Sequence, residues 1–105
     1  MGISSAPIST EKSDYSGDPD AQLMLRVRDG DDTAFDSLYA KHVGRVERII
    51  DHLMTHNADS KDLTQDVFMR VYRARTTYKI QGKFSTWLFI IINNVESNKR
   101  RTIRN

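Results

Sequence analysis

The chain has 105 residues, of which 38% are hydrophobic, and it contains no cysteine, so one domain is expected and disulfides, thiolate metal sites and a cysteine nucleophile are excluded. The longest apolar run, from Trp87 to Ile92, has six residues, whereas a membrane span needs about 20. No basic start precedes an apolar run of the secretory type, so we expect a cytoplasmic protein without membrane insertion.

The net charge of +2 is unevenly distributed along the chain. Residues 1–66 carry 7 Lys and Arg against 13 Asp and Glu, whereas residues 67–105 carry 9 against a single acid, Glu96. The basic half suits a polyanion such as nucleic acid. A globule with an unevenly charged surface is the alternative interpretation.

The first half of the sequence predicts a leader and two helices. Residues 1–17 are rich in serine and lack periodicity, which predicts a disordered leader. The first helix is predicted over 19–29, with Asp18 as its N-cap, Pro19 at its first position and Gly30 after its end. The second is predicted over 32–54, where apolar residues recur at i, i+3 and i+4.

Two further helices are predicted over 60–75 and 86–102, after Asp59 and Ser85 as N-caps. Phe84 and Phe89 have the spacing of a hydrophobic staple at the start of the last helix. No segment alternates with period two for long enough to form a strand. We therefore expect an all-α fold, a compact three- to four-helix bundle, in which the loop 76–83 joins the last two helices.

The fourth predicted helix has two distinct faces. At about 100° per residue, one arc is apolar and typical of a core: Leu88, Ile91, Ile92 and Val95. A neighbouring arc begins aromatic, continues with amides and ends cationic: Trp87, Ile90, Asn94, Ser97, Asn98 and Arg101. Rings that stack on bases, amides that bond base edges and cations that hold phosphates indicate nucleic-acid binding. A half-buried tryptophan beside solvated amides is the alternative.

The third predicted helix also divides into two faces. Leu63, Val67, Phe68 and Val71 form the inward side. The opposite arc carries Asp62, Gln65, Asp66 and Met69. An exposed methionine beside acids and an amide suits protein docking, because methionine adapts to a partner's surface, and a solvated acidic face is the alternative.

The sequence offers little for metal binding or catalysis. His52 and His56 stand four residues apart, a spacing that can hold Zn²⁺, but no third ligand is evident and we expect no metal site and no cofactor. No Ser-His-Asp order, glycine-rich phosphate loop or pair of carboxylates stands out, so no enzyme is predicted.

Three segments together resemble region 2 of the sigma-70 family, and most closely its extracytoplasmic-function group. They are GDDTAFDSLY at 30–39, DSKDLTQDVFMRVY at 59–72 and FSTWLFIIINN at 84–94. Their order and spacing follow that family's pattern, and the resemblance covers about residues 20–104. Ile92 departs from it, because the family usually has a small residue there, and Asn98 stands where Asp is common.

The resemblance implies a bacterial transcription-initiation domain with two main partners. Such a domain docks on the β′ clamp helices of core RNA polymerase, and it recognises and melts the promoter −10 element while holding a flipped base of the non-template strand. An anti-sigma protein is a further implied partner. Carried onto this sequence, the polymerase contacts would be Asp62, Gln65 and Asp66, with Met69 beside them.

The implied DNA surface combines the loop 76–83 with the exposed arc of the fourth helix. In the loop, Tyr78 is expected to stack on a base, Lys79 and Lys83 to hold phosphates, and Ile80 and Gln81 to lie beside the base pocket. Gly82 is expected at a turn that a side chain would obstruct. On the helix, the expected DNA contacts are Trp87, Asn94, Asn98 and Arg101.

Other interpretations stay open at this point. A sigma-like domain could bind a partner protein and no DNA, although the basic arc argues against this, and the fourth helix could lie on anionic lipid, although its core positions argue against that. The family's second DNA-binding domain, a helix-turn-helix for the −35 element, has no counterpart in the sequence. We expect a truncated chain rather than a natural single-domain form, because the sequence stops in a charged segment suited to a linker.

Overall fold

The computed structural model describes residues 14–53 and 59–104, with side chains described for 15–53 and 59–99. It contains four α-helices: α1 Pro19–Arg28, α2 Asp32–Leu53, α3 Ser60–Arg73 and α4 Phe84–Arg104. Short 3-10 turns, Asp14–Gly17 and Ala74–Thr77, precede α1 and follow α3. The described residues contain no strand, which confirms the all-α prediction, and none of their helices combines the length and apolar character needed to cross a bilayer.

The core lies between α2 and its neighbours. Helix α2 packs against α1 and α3, and α4 packs mainly against α3. The predicted inward faces of α3 and α4 are confirmed, because all of their members are buried: Leu63, Val67, Phe68, Val71, Leu88, Ile91, Ile92 and Val95. Each fully buried side chain of this size contributes about 1.5–3 kcal/mol, so these faces fix how α4 is presented. Ile92 is 1% exposed, so the bundle accommodates a branched side chain where the family usually has a small one.

The segment before α1 is ordered by two hydrogen bonds. The Asp18 amide donates to the Tyr15 carbonyl at 3.0 Å, and Gln22 Nε2 donates to the Ser16 carbonyl at 2.7 Å. The prediction of a disordered leader over 1–17 is therefore wrong for residues 14–17, while residues 1–13 lie outside the described part. At the other end of α1, Gly30 adopts a φ of 102°, as a glycine that ends a helix commonly does.

Helix α4 begins differently from the prediction. It starts at Phe84, and the Phe84 amide donates to Asp18 Oδ2 at 2.8 Å. Phe84 is buried whereas Phe89 is 48% exposed, so the two rings do not form the predicted staple with Ser85 as the cap. The sequence pattern failed here because the capping group is the side chain of Asp18, which precedes α1 and lies far away along the chain.

A polar cluster joins α1 to α2 beneath the start of α4. Asp20 Oδ1 accepts a hydrogen bond from Lys41 Nζ at 2.9 Å, and Asp20 Oδ2 lies 2.9 Å from His42 Nε2. Burial by itself raises the pKa of Asp20, but the hydrogen bonds from Lys41 and His42 outweigh it and leave that pKa below its ordinary value. The His42 ring in turn lies 5.5 Å from the Phe84 ring, so the cluster supports the first turn of α4.

Candidate nucleic-acid and protein interfaces

One exposed face of α3 brings together the four residues predicted to dock a protein. Asp62, Gln65 and Asp66 are exposed, and Met69 is 52% exposed. We call these four residues the docking face. Exposed apolar atoms beside carboxylates on a rigid helix suit a partner with a basic and partly apolar surface.

An aromatic groove of about 510 Å³ adjoins the docking face between α2 and α3. Its walls include Phe35 and Tyr39 of α2 and Phe68 and Tyr72 of α3, whose rings meet edge to face at 4.8–6.5 Å. Gln65 Nε2 donates to the Tyr39 hydroxyl at 2.7 Å, which orients the amide at the groove's edge. This groove was not predicted from the sequence, although the matched four-residue spacing of aromatic residues on both helices was a usable signal.

The loop between α3 and α4 encloses a pocket of about 360 Å³. We call it the loop pocket, and its lining combines cations, amide and apolar groups from the loop and from α4: Ala74, Thr77, Tyr78, Lys79, Gln81, Gly82, Lys83, Thr86, Trp87 and Ile90. Lys79, Gln81 and Lys83 are exposed. A volume of this size is in the range of small-ligand sites, about 300–1,000 Å³, and could hold one base.

Trp87 forms one wall of the loop pocket and is held by two aromatic neighbours. Its ring centroid lies 4.9 Å from that of Tyr78, at 72°, and 5.5 Å from that of Phe84, at 45°. The tryptophan is half-buried, so part of its surface stays open to the pocket. Its orientation is thereby fixed before any ligand arrives, which lowers the entropy cost of stacking.

Three expectations about the loop are corrected. Tyr78 is only 4% exposed, and burial together with the charge of Asp18 raises its pKa, so it mainly supports Trp87 and, although it lines the pocket, leaves little surface on which a base could stack. Ile80 packs half-buried against the core and does not line the pocket. An added Cβ at Gly82 would meet no atom within 4 Å, so no side chain is obstructed there.

The predicted arc of α4 continues from the loop pocket along the helix. Ile90 is 54% exposed, and Asn94, Ser97 and Asn98 are also exposed. The structure thus brings Trp87, Asn94 and Asn98 onto one surface, which we call the α4 stripe. The side chain of Arg101 lies outside the described ones, so its predicted DNA contact stays a prediction.

The proposed histidine pair is only partly described. His52 is exposed near the end of α2, and His56 lies outside the described residues. Within the described residues, no three His, Asp or Glu side chains cluster in the manner of a metal site. The expectation that this pair binds no zinc stays a prediction.

Comparison with known proteins identifies relatives of this arrangement. The Sigma-70 region 2 family model matches residues 38–104. The RNA polymerase sigma factor CarQ of Myxococcus xanthus is 35% identical over 78 residues, which cover 74% of this chain and 45% of CarQ. The ECF RNA polymerase sigma-E factor of Escherichia coli K12 is 30% identical over 79 residues, which cover 75% of this chain and 41% of that protein.

A solved structure agrees with the sequence relatives. An NMR structure of an engineered region 2 of sigmaE in complex with GTAAAA matches with a TM-score of 0.72 and 32% identity, covering 79% of this chain and 86% of that one. The chain spans less than half the length of the curated relatives that it matches. From the family match, the relatives and the shared bundle, the chain belongs to the sigma-70 family as a region 2 domain of the extracytoplasmic-function group.

Proposed function

We propose that this domain docks on core RNA polymerase and that it recognises and melts the promoter −10 element. The loop pocket carries the proposal, because it joins a pre-oriented tryptophan to two exposed lysines at the start of the α4 stripe. A base flipped out of the stack would lie in this pocket against Trp87, with its phosphates at Lys79 and Lys83. The structurally similar region 2 of sigmaE, seen in complex with GTAAAA, supports this.

The polymerase side of the proposal rests on the docking face. Its two carboxylates and exposed methionine suit the β′ clamp helices, and the aromatic groove beside them offers room for a partner's side chain. An anti-sigma protein that covers the same face would keep the domain from polymerase. On this proposal the domain binds its partners and catalyses no reaction. Because polymerase and promoter DNA lie in the bacterial cytoplasm, we place the domain there.

The energies of melting make the two activities interdependent. Unstacking a base step costs a few kcal/mol, and stacking one base on an aromatic ring returns about 1–3 kcal/mol. With a net charge of only +2, the domain gains little from general attraction to DNA. We therefore expect weak binding to single-stranded DNA by the domain alone and promoter melting only with polymerase.

The fluorescence of Trp87, the single tryptophan of the chain, tests the DNA part directly. Titration with single-stranded GTAAAA should quench it, and raising the salt concentration should weaken the binding. Asn94→Ala should weaken binding several-fold, whereas Gln22→Ala, which removes an exposed amide from α1, should not. If no oligonucleotide of varied sequence binds, while a polymerase clamp-helix fragment does, the domain is a protein-interaction module that binds no DNA.

A further inference from the structure

A second groove lies on the other side of Thr86 from the loop pocket. It runs between α2 and α4 with a volume of about 250 Å³ and adjoins a hollow of about 890 Å³ near the end of α2. Thr86 lines both the loop pocket and this groove, and Arg45, Ile49 and Phe89 line both the groove and the hollow. The loop pocket and the groove are therefore neighbours that share Thr86 as a wall, and the groove adjoins the hollow; the groove and hollow together are called the α2–α4 groove.

The α2–α4 groove combines an exposed ring with unpaired cations. Phe89 is 48% exposed and Leu53 39%. Arg45 and Arg48 are exposed, and neither has an ion-pair or side-chain hydrogen-bond partner within the described part of the chain. His52 lies at the same end, together with the acid Asp51. Aromatic surface flanked by cations is typical of sites that bind single strands.

We propose that the α2–α4 groove carries the single-stranded nucleotides that follow the base held in the loop pocket, with one base stacked on Phe89 and phosphates at Arg45 and Arg48. The proposal rests on the proposed function and extends its DNA path. A strand can leave the loop pocket in two directions, one of which follows the α4 stripe. The other passes Thr86 into the α2–α4 groove, where the exposed cations match a polyanion better than an apolar partner.

Oligonucleotides of different length test the proposal with the 105-residue chain itself. The shortest probe is the hexamer GTAAAA, which carries a label. Two longer labelled probes add five thymidines to its 3′ side or to its 5′ side, and two more carry five abasic sites in place of those thymidines. One of the two thymidine tails should tighten binding at least about tenfold over the hexamer, because one stacked base alone accounts for about that factor and the phosphates add to it. The abasic tail on that side should give only the part of this gain in affinity that comes from contacts with the phosphates.

Substitutions assign the effect to the groove. Phe89→Ala should lower the affinity for the thymidine-tailed probe to that for its abasic version. The affinity for the hexamer should not change, since the exposed ring of Phe89 contributes little to folding. Arg45→Ala combined with Arg48→Ala should weaken the binding of the thymidine-tailed probe and of its abasic version. Arg28→Ala on α1 should weaken the binding of neither. If GTAAAA binds but neither tail adds affinity, or if Phe89→Ala leaves the gain intact, the α2–α4 groove does not carry DNA. If neither GTAAAA nor any tailed probe binds, the proposed function fails together with this inference.

Discussion

The Phe84 amide donates a hydrogen bond to Asp18 Oδ2 at 2.8 Å, although 66 residues separate the two. The other oxygen, Asp18 Oδ1, accepts from the Asp20 amide at 3.1 Å and caps α1. One carboxylate therefore caps the helix that begins the domain and the helix that carries Trp87. The shared cap fixes the start of α4, and with it the wall of the loop pocket.

Removing this carboxylate should cost more than an ordinary helix cap. We expect Asp18→Ala to lower the free energy of unfolding by about 2 kcal/mol, because each of two caps contributes about 1 kcal/mol. Asp18→Asn keeps one oxygen acceptor and should lose about half as much. Urea unfolding followed by circular dichroism measures both, with Asp29→Ala as a surface control whose loss should stay within about 0.5 kcal/mol. Equal, small losses in all three variants would show that the Asp18–Phe84 bond contributes nothing.

The Asp20 cluster should make stability depend on pH in the acid range. The folded pKa of Asp20 lies below its ordinary value of 3.8, so the unfolded chain binds a proton more readily and stability falls as pH drops from about 4 through the folded pKa. Asp20→Asn should be less stable than the native protein at pH 7, by about 1 kcal/mol, and should lose less on acidification. Unfolding measured from pH 7 to pH 2.5 tests this.

Comparing the native protein with Asp20→Asn separates the contribution of Asp20 to acid sensitivity from that of Asp31, which also titrates at acid pH. The hydroxyl of Thr33 and the guanidinium of Arg26 lower the pKa of Asp31 to about 2. Asp31 titrates alike in both proteins, so its contribution cancels in the difference. Parallel curves for the native protein and the variant would mean that the Asp20 cluster does not set the acid sensitivity.

The helices and their faces were predictable from sequence because they depend on local spacing. The four-residue recurrence of Leu63, Val67 and Val71 determines which side of α3 is buried, whatever lies opposite. The details of the loop were not predictable in this way. Whether Tyr78 stacks on DNA or packs edge to face against Trp87 depends on where α4 lies relative to Asp18, a contact between distant parts of the chain. Phe89 likewise has the spacing of a staple residue, yet its partner Phe84 turns into the core.

The docking face should be separable from folding. Gln65→Ala combined with Asp66→Arg should abolish measurable binding to a β′ clamp-helix fragment, because it removes an amide and reverses a charge on exposed positions. The helical circular-dichroism signal should not change. Asp51→Arg is the matched control, since it makes the same charge change on an exposed residue of α2 outside the docking face. Unchanged clamp-helix binding by the double variant would mean that polymerase docks elsewhere.

The loop pocket should divide its residues between affinity and base choice. Lys79 is exposed and suited to a phosphate, so Lys79→Ala should weaken every oligonucleotide by a similar factor and lower the salt slope by about one unit at most. Gln81 lines the pocket with an amide that can bond a base edge. Gln81→Ala should therefore change which base is preferred at one or two adjacent positions. Ile80→Val should do neither, because Ile80 packs against the core.

A panel of single-stranded oligonucleotides, each varied at one position of GTAAAA, distinguishes these effects when affinities are measured at several salt concentrations. The amide at position 81 can donate a hydrogen bond to one base and accept one from another. Its loss should therefore reduce the differences in affinity between oligonucleotides with different bases, rather than lower all affinities together. Lys61→Ala serves as the lysine control, because Lys61 lies on α3 and pairs with Glu47 at 3.4 Å. If Gln81→Ala instead weakens every oligonucleotide equally, the loop holds the strand without reading it, and base choice belongs to Asn94 and the rest of the α4 stripe.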